Sequence, residues 1–148
     1  MRQLEERGFK KAIAQITAPF LGICLGMQLL MDFSEENDTD CLGVIKGRTV
    51  KFPNSLKVPQ IGWNKVEQKK SQPKNPQLFE GIPDESYFYF VNSYYLELDK
   101  KYSEIGTTNY GVNFTSAIKE KNFYGVQFHP EKSGEIGLAL LNNFYKLC

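Results

Sequence analysis

The chain is poor in histidine and cysteine and carries no excess charge of either sign. Of its 148 residues one is His and three are Cys. Cys24, Cys41 and Cys148 have neither the even count of a disulfide framework nor the close spacing of a zinc site, so free thiols in a reducing compartment are expected. Lys and Arg number 18 against 17 acids. The basic residues are scattered apart from the pairs Lys69-Lys70 and Lys100-Lys101, which excludes the electrostatic footprint of a nucleic-acid binder. No apolar run approaches the roughly 20 residues of a membrane helix, and the opening MRQLEERGFKKAIAQ lacks the apolar core of a signal peptide. Internal repeats, low-complexity segments and a dividing linker are also missing. The expectation is one soluble, cytoplasmic domain spanning residues 1–148.

What is present is an alternation of helical and strand patterns. Leu4, Phe9, Ala12, Ile13 and Ile16 predict a loosely amphipathic helix, interrupted by Gly8 and ended before Pro19. Residues 20–24 predict a short buried strand and 25–33 a helix, whose polar tail SEENDTD starts a loop. VIKGRTVKF and IGWNKVEQ alternate apolar and polar residues as half-buried strands do, with breaks at Pro53 and Pro59. Residues 69–76 predict a surface loop. SYFYFVNSYYLEL reads as strand, IGTTNYGVNFTSAIKEKNFYGVQF contains three further strand-like runs, and IGLALLNNFYKL predicts a closing amphipathic helix. The fold class is mixed α/β.

Two stretches carry chemistry. In GICLGMQ, residues 22–28, a cysteine stands between glycines at a strand-to-helix turn. Such a turn exposes its central residue at the carboxyl edge of a sheet, and flanking glycines give it room. The Leu25 amide would then face a forming oxyanion, and the positive end of the next helix would favour thiolate. A packed core thiol fits the same seven residues, because free Cys is among the most buried residue types. In Gln127-Phe128-His129-Pro130-Glu131, Pro130 biases the only histidine toward extended chain, where residues two apart share a side. His129 and Glu131 can therefore form a base and its orienting carboxylate, although a surface His beside an incidental Glu fits too. Cys24, His129 and Glu131 make a possible triad if the two stretches meet. A metal site is not expected, since one His is available and the acids Glu35, Glu36, Asp38 and Asp40 lack the glycine and final glutamate of a calcium loop.

GICLGMQ and GVQFHPEKS resemble the two signature blocks of class I (triad-type) glutamine amidotransferases. Between them, GVIKGRTVKFP, KVPQIGWNKV, LFEGIPDESYFYFVNSYY and TTNYGVNF are similar to one branch, the glutaminase subunit of imidazole glycerol phosphate synthase in histidine biosynthesis. The resemblance implies a flavodoxin-like three-layer α/β fold with a mixed sheet and no cofactor. It implies that Cys24 attacks the side-chain amide of L-glutamine, that His129 protonates departing ammonia and activates water against the thioester, and that Glu131 orients His129. Leu25 would supply an oxyanion donor, while Gln28 and the backbone around Asn92, Ser93 and Tyr94 would hold the amino-acid end. The implied partner, in a heterodimer, is a cyclase subunit of (β/α)8-barrel type that receives the ammonia; Gln60, Trp63, Asn64 and Lys132 fall at its interface.

The resemblance departs in two ways. The chain matches only the C-terminal part, about three quarters, of a complete family domain; the strand–helix–strand segment and glycine-rich loop before the first helix are not in it. That loop carries the second oxyanion donor, and losing one such donor lowers rate by about a hundred- to a thousandfold, so the 148 residues alone are expected to be a poor glutaminase. Histidine is usual in the family at the positions of Gln60 and Asn92. These amides leave open a paralogue supplying ammonia to a sugar-modifying synthase, and the missing segment leaves open a catalytically impaired binding module.

Overall fold

The computed structural model describes residues 1–69 and 77–148. Two short helices come first, α1 (Arg2–Glu6) and α2 (Phe9–Ala14). Gly8 divides them at φ 72°, a left-handed conformation that glycine adopts without steric penalty. Neither helix buries a residue fully; Ile13 and Ile16 are partly buried against the cluster that holds Met27, Leu30 and Phe123.

Next come β1 (Phe20–Ile23) and α3 (Leu25–Gln28). The helix expected over 25–33 stops after one turn because other backbone groups claim its acceptors. The carbonyls of Leu29, Leu30 and Met31 accept hydrogen bonds of 2.8–3.0 Å from Leu42, from Val44 and Ile45, and from Gly43. Leu30 and Met31 are wholly buried, so their apolar run belongs to a core turn. The chain continues through β2 (Phe33–Ser34), an exposed turn carrying Glu35, Glu36 and Asp38, and β3 (Thr39–Asp40). With Val44 and Ile45 committed to Leu30, β4 (Gly47–Lys51) begins only at Gly47.

The remaining strands are β5 (Gln60–Gln68), β6 (Ser86–Asn92), β7 (Tyr94–Leu98), β8 (Glu104–Asn109), β9 (Asn113–Glu120) and β10 (Phe123–Val126), followed by helix α4 (Gly134–Tyr145). Of the loop expected at 69–76, residues 70–76 lie outside the described residues. The sheet runs β3-β2-β4-β7-β9-β8-β5-β6, with β10 joined to β9 and β1 joined to β10. Among the described residues, the parallel pairs are β1 with β10 and β2 with β4. No helix among them is long and apolar enough to cross a membrane.

β10 places the site because it is covered on both faces. Phe123 belongs to the cluster with Met27 of α3, whereas Tyr124 and Val126 belong to the cluster with Leu140 of α4. Strand alternation thus puts one helix on each side of it. The second cluster is mostly aromatic: Phe88 and Phe128 stack at 4.1 Å, and Phe52 meets Tyr95, Tyr110 and Phe114. Helix α4 approaches the chain after β10 so closely that a Cβ on Gly137 would lie 1.9 Å from the Pro130 carbonyl oxygen. Gly137→Ala is therefore expected to lose roughly 3 kcal/mol, lowering Tm by about 6–12 °C. A thermal melt unchanged from the parent would show that the helix does not depend on this contact.

Candidate active site

Cys24 lies at the junction of β1 and α3 with φ 50° and ψ −107°, a conformation outside the ordinary left-handed well. Such strain, about 1–3 kcal/mol, is held only where the surroundings over-determine it. Here the Cys24 N–H donates to the Val126 carbonyl at 2.8 Å, continuing the β1–β10 ladder, while the Cys24 carbonyl accepts from Met27 and Gln28 at 3.0 and 3.1 Å. The two glycines of the motif differ in purpose. A Cβ on Gly22 would lie 2.6 Å from the Gly26 carbonyl, whereas a Cβ on Gly26 meets nothing within 4 Å. Only Gly22 is required by the turn.

The parallel register Ile23↔Val126 carries both chemical stretches to the same carboxyl edge. His129 is extended at φ −101° and ψ 93°, as the following proline favours. Its ring Nδ1 lies 2.7 Å from Glu131 Oε1. With Nδ1–H donated to that carboxylate, Nε2 is left as the proton acceptor. The backbone is clamped as well: the His129 N–H donates to the Tyr89 carbonyl at 2.8 Å. The Ser133 hydroxyl accepts from the Tyr89 N–H at 3.0 Å and donates to the His129 carbonyl at 2.7 Å.

The thiol's hydrogen bonds are made elsewhere. Cys24 Sγ donates to the Val91 carbonyl at 3.7 Å and accepts from Gln127 Nε2 at 3.5 Å, so it is not hydrogen-bonded to His129 in this state. Catalytic contacts are commonly loose before substrate binds. Burial pushes the Cys24 thiol up; N–H groups of Leu25 and Gln127 oppose this, and the Glu131 and Glu36 carboxylates add to it. The expectation that the next helix would favour thiolate is thus corrected. α3 has four residues and its dipole is correspondingly small, so desolvation wins and the resting sulfur is protonated. The Leu25 N–H does turn toward Sγ, where it favours the anion.

Of the residues expected to hold substrate, Gln28 and Asn92 are joined through the Tyr94 carbonyl. Gln28 is nearly buried, and its Nε2 donates to the Tyr94 carbonyl at 3.2 Å and to Gln127 Oε1 at 3.0 Å. Its amide hydrogens are committed, leaving Oε1 for a ligand's donor. Asn92 Nδ2 also donates to the Tyr94 carbonyl, at 3.0 Å, and the Ser93 carbonyl accepts from Phe52 at 3.1 Å.

Of the interface candidates, Trp63 is exposed and meets Tyr89 edge-on at 5.9 Å, Lys132 is exposed, and Asn64 is half-buried with Nδ2 donating to the Asn109 carbonyl. Gln60 is 3 % exposed, which removes it from any surface. It pairs with Asn92 across β5 and β6 on their inner face. Gln60 Oε1 and Asn92 Oδ1 are buried acceptors without a protein partner.

Two residues at the site, Gln127 and Ser133, escaped the sequence reading. The rule that aligned His129 with Glu131 also places Gln127 on that side of the extended chain, so the signal was there.

Cys24→Gly is expected to be more stable than Cys24→Ala by about 1 kcal/mol or more, the reverse of the usual order for these two residues. Likewise Gly22→Ala is expected to lose roughly 2–3 kcal/mol, and Gly26→Ala nothing. Urea titrations read both comparisons, and a Cys24→Gly protein no more stable than Cys24→Ala contradicts the strained elbow.

Comparison with known proteins agrees with this geometry. The family described as "Glutamine amidotransferase class-I" matches residues 4–148. The chain is 48% identical over 145 residues to the imidazole glycerol phosphate synthase subunit HisH of Haemophilus influenzae, covering 97% of this chain and 70% of that protein. It is 49% identical over 152 residues to the subunit of that name from Herpetosiphon aurantiacus, covering 100% and 70%. The chain thus spans about 70% of the length of these relatives. Among solved structures, a glutamine amidotransferase from Thermotoga maritima superposes with TM-score 0.62 at 22% identity, covering 96% of this chain and 53% of that one. The glutaminase domain of a Trypanosoma brucei CTPS gives TM-score 0.59 at 16% identity, covering 93% and 65%. With a strained cysteine elbow and a His–Glu pair at one sheet edge, and with a family match over nearly its whole length, the chain belongs to the class I glutamine amidotransferases.

Proposed function

We propose that the protein is the glutaminase subunit of an imidazole glycerol phosphate synthase, hydrolysing L-glutamine to glutamate and ammonia. The observation that carries this is the placement of Cys24 and the His129–Glu131 pair at the carboxyl ends of β1 and β10. Identity at nearly half the aligned positions to relatives named for that subunit supports the same reading. His129 Nε2 takes the thiol proton as Sγ attacks the glutamine side-chain carbonyl carbon. The Leu25 N–H donates to the oxygen that becomes negative. Collapse of the tetrahedral intermediate breaks the C–N bond; His129 returns the proton to the leaving nitrogen, and ammonia departs from a glutamyl thioester. Water deprotonated by His129 then attacks the thioester, releasing glutamate and restoring the thiol. Glu131 holds the imidazole in the tautomer this requires. Gln28 Oε1 accepts from the substrate ammonium, and the backbone at 92–94 lies beside it. Residues 1–148 act as one domain.

The ammonia acceptor is a cyclase subunit of (β/α)8-barrel type, docked on the outer face of β5 and β6. Ile61, Trp63 and Tyr87 are more than half exposed there, and Asn64 and Lys132 are assigned to the same interface. Aromatic anchors of this kind dominate interface energy.

Mass spectrometry after treatment with a glutamine-like chloroketone should find one adduct, on Cys24. It should be absent in Cys24→Ser and formed at least about tenfold more slowly in His129→Ala. Labelling of Cys41 or Cys148 in preference to Cys24 would sink the catalytic assignment. Trp63→Ala should weaken binding of the cyclase subunit, read by calorimetry, by about tenfold or more; unchanged affinity would place the partner elsewhere.

A further inference from the structure

Gln127 has no assigned part in the reaction, yet its amide touches the reacting sulfur. It follows β10 directly, is wholly buried, and its N–H donates to the Ser116 carbonyl at 2.9 Å. Its side chain makes two hydrogen bonds: Oε1 accepts from Gln28 Nε2 at 3.0 Å, and Nε2 donates to Cys24 Sγ at 3.5 Å. A primary amide is nearly symmetric in shape, so the end that faces the sulfur is set by its other partner. That partner's orientation is itself imposed. The Tyr94 carbonyl can only accept, and Gln28 Nε2 donates to it at 3.2 Å. Gln28 therefore turns its NH2 inward, Gln127 must answer with its oxygen, and the Gln127 NH2 is left for Sγ. One backbone carbonyl fixes the polarity of two side-chain amides and delivers a donor to the nucleophile.

We propose that Gln127 is a thiolate-stabilising residue, donating through Nε2 to Cys24 Sγ, and that Gln28 is the positioning residue that keeps this donor facing the sulfur. The inference rests on the reading of Cys24 as the nucleophile. When His129 removes the thiol proton, the Val91 carbonyl loses the donor it had and faces the anion with nothing to give. The Gln127 donor stays in place and strengthens, because hydrogen bonds to an ionised acceptor are stronger than neutral ones. It works with the Leu25 N–H against burial and against the Glu131 and Glu36 carboxylates.

The test follows iodoacetamide alkylation of the peptide containing Cys24 as a function of pH, without substrate, so that Cys41 and Cys148 do not interfere. In Gln127→Met the alkylation midpoint should move to higher pH by about one unit, the size of one charge-assisted hydrogen bond. In Gln127→Glu it should move further, because a carboxylate then lies beside the sulfur. Gln28→Met leaves Gln127 in place but frees its amide to turn over, and the midpoint should move the same way by less. Under the same logic kcat for glutamine should fall about tenfold in Gln127→Met, with KM nearly unchanged. Should Gln127→Met lose its cooperative melt, Gln28→Met carries the test. Folded variants with the parent midpoint overturn the proposal. A parent protein that takes no chloroketone adduct on Cys24, yet shows the shifted midpoints, would refute the glutaminase reading while leaving the amide–thiol contact standing.

Discussion

The parallel pairing of β1 with β10 is the constraint on which the rest of the site depends. Four register pairs, from Phe20↔Phe123 to Ile23↔Val126, join segments about a hundred residues apart in sequence. The elbow and the His129 loop both leave the sheet at the carboxyl end of that pair. The pairing also dictates small residues: Gly22 lies opposite Gly125, where a Cβ would come within 2.6 Å of the Met27 side chain. Close approach of α3 to the two strands leaves Cys24 as the elbow between them, so packing and chemistry meet at the same contact.

At the sulfur, two physical effects oppose each other and their order matters. Removal from water favours the neutral thiol, while N–H donors from Leu25 and Gln127 favour the anion; burial wins in the resting state. A half-buried thiol held protonated is protected from adventitious electrophiles and oxidants, which react with thiolate. In the proposed reaction nucleophilicity is then supplied by proton transfer to His129, whose Nδ1 is already committed to Glu131.

Much of this was legible in the sequence, for identifiable reasons. The period-two runs of β5 to β10 and the amphipathic run of α4 are local signals that tertiary contacts reinforce. GICLGMQ and QFHPE are short, and their chemistry follows from residue type and spacing. The misread segment, 29–33, fails because its backbone acceptors serve residues 42–45, a fact no local pattern contains. Gln60 was an interface candidate through the resemblance alone, and the pairing of β5 with β6 turns it inward toward Asn92. Gln127 shares its side of the chain with His129, but a buried glutamine between apolar neighbours reads as a strand residue until its two partners are known.

Trp63 stands alone in its type and on one particular face. The chain has one tryptophan, and it is exposed on the outer side of β5, edge-on to Tyr89. Its indole emission therefore reports the surroundings of that ribbon and of nothing else in the chain. Tyr89 is bonded through its own backbone to His129 and Ser133. The protein thus carries a built-in optical probe one strand away from the backbone that holds His129.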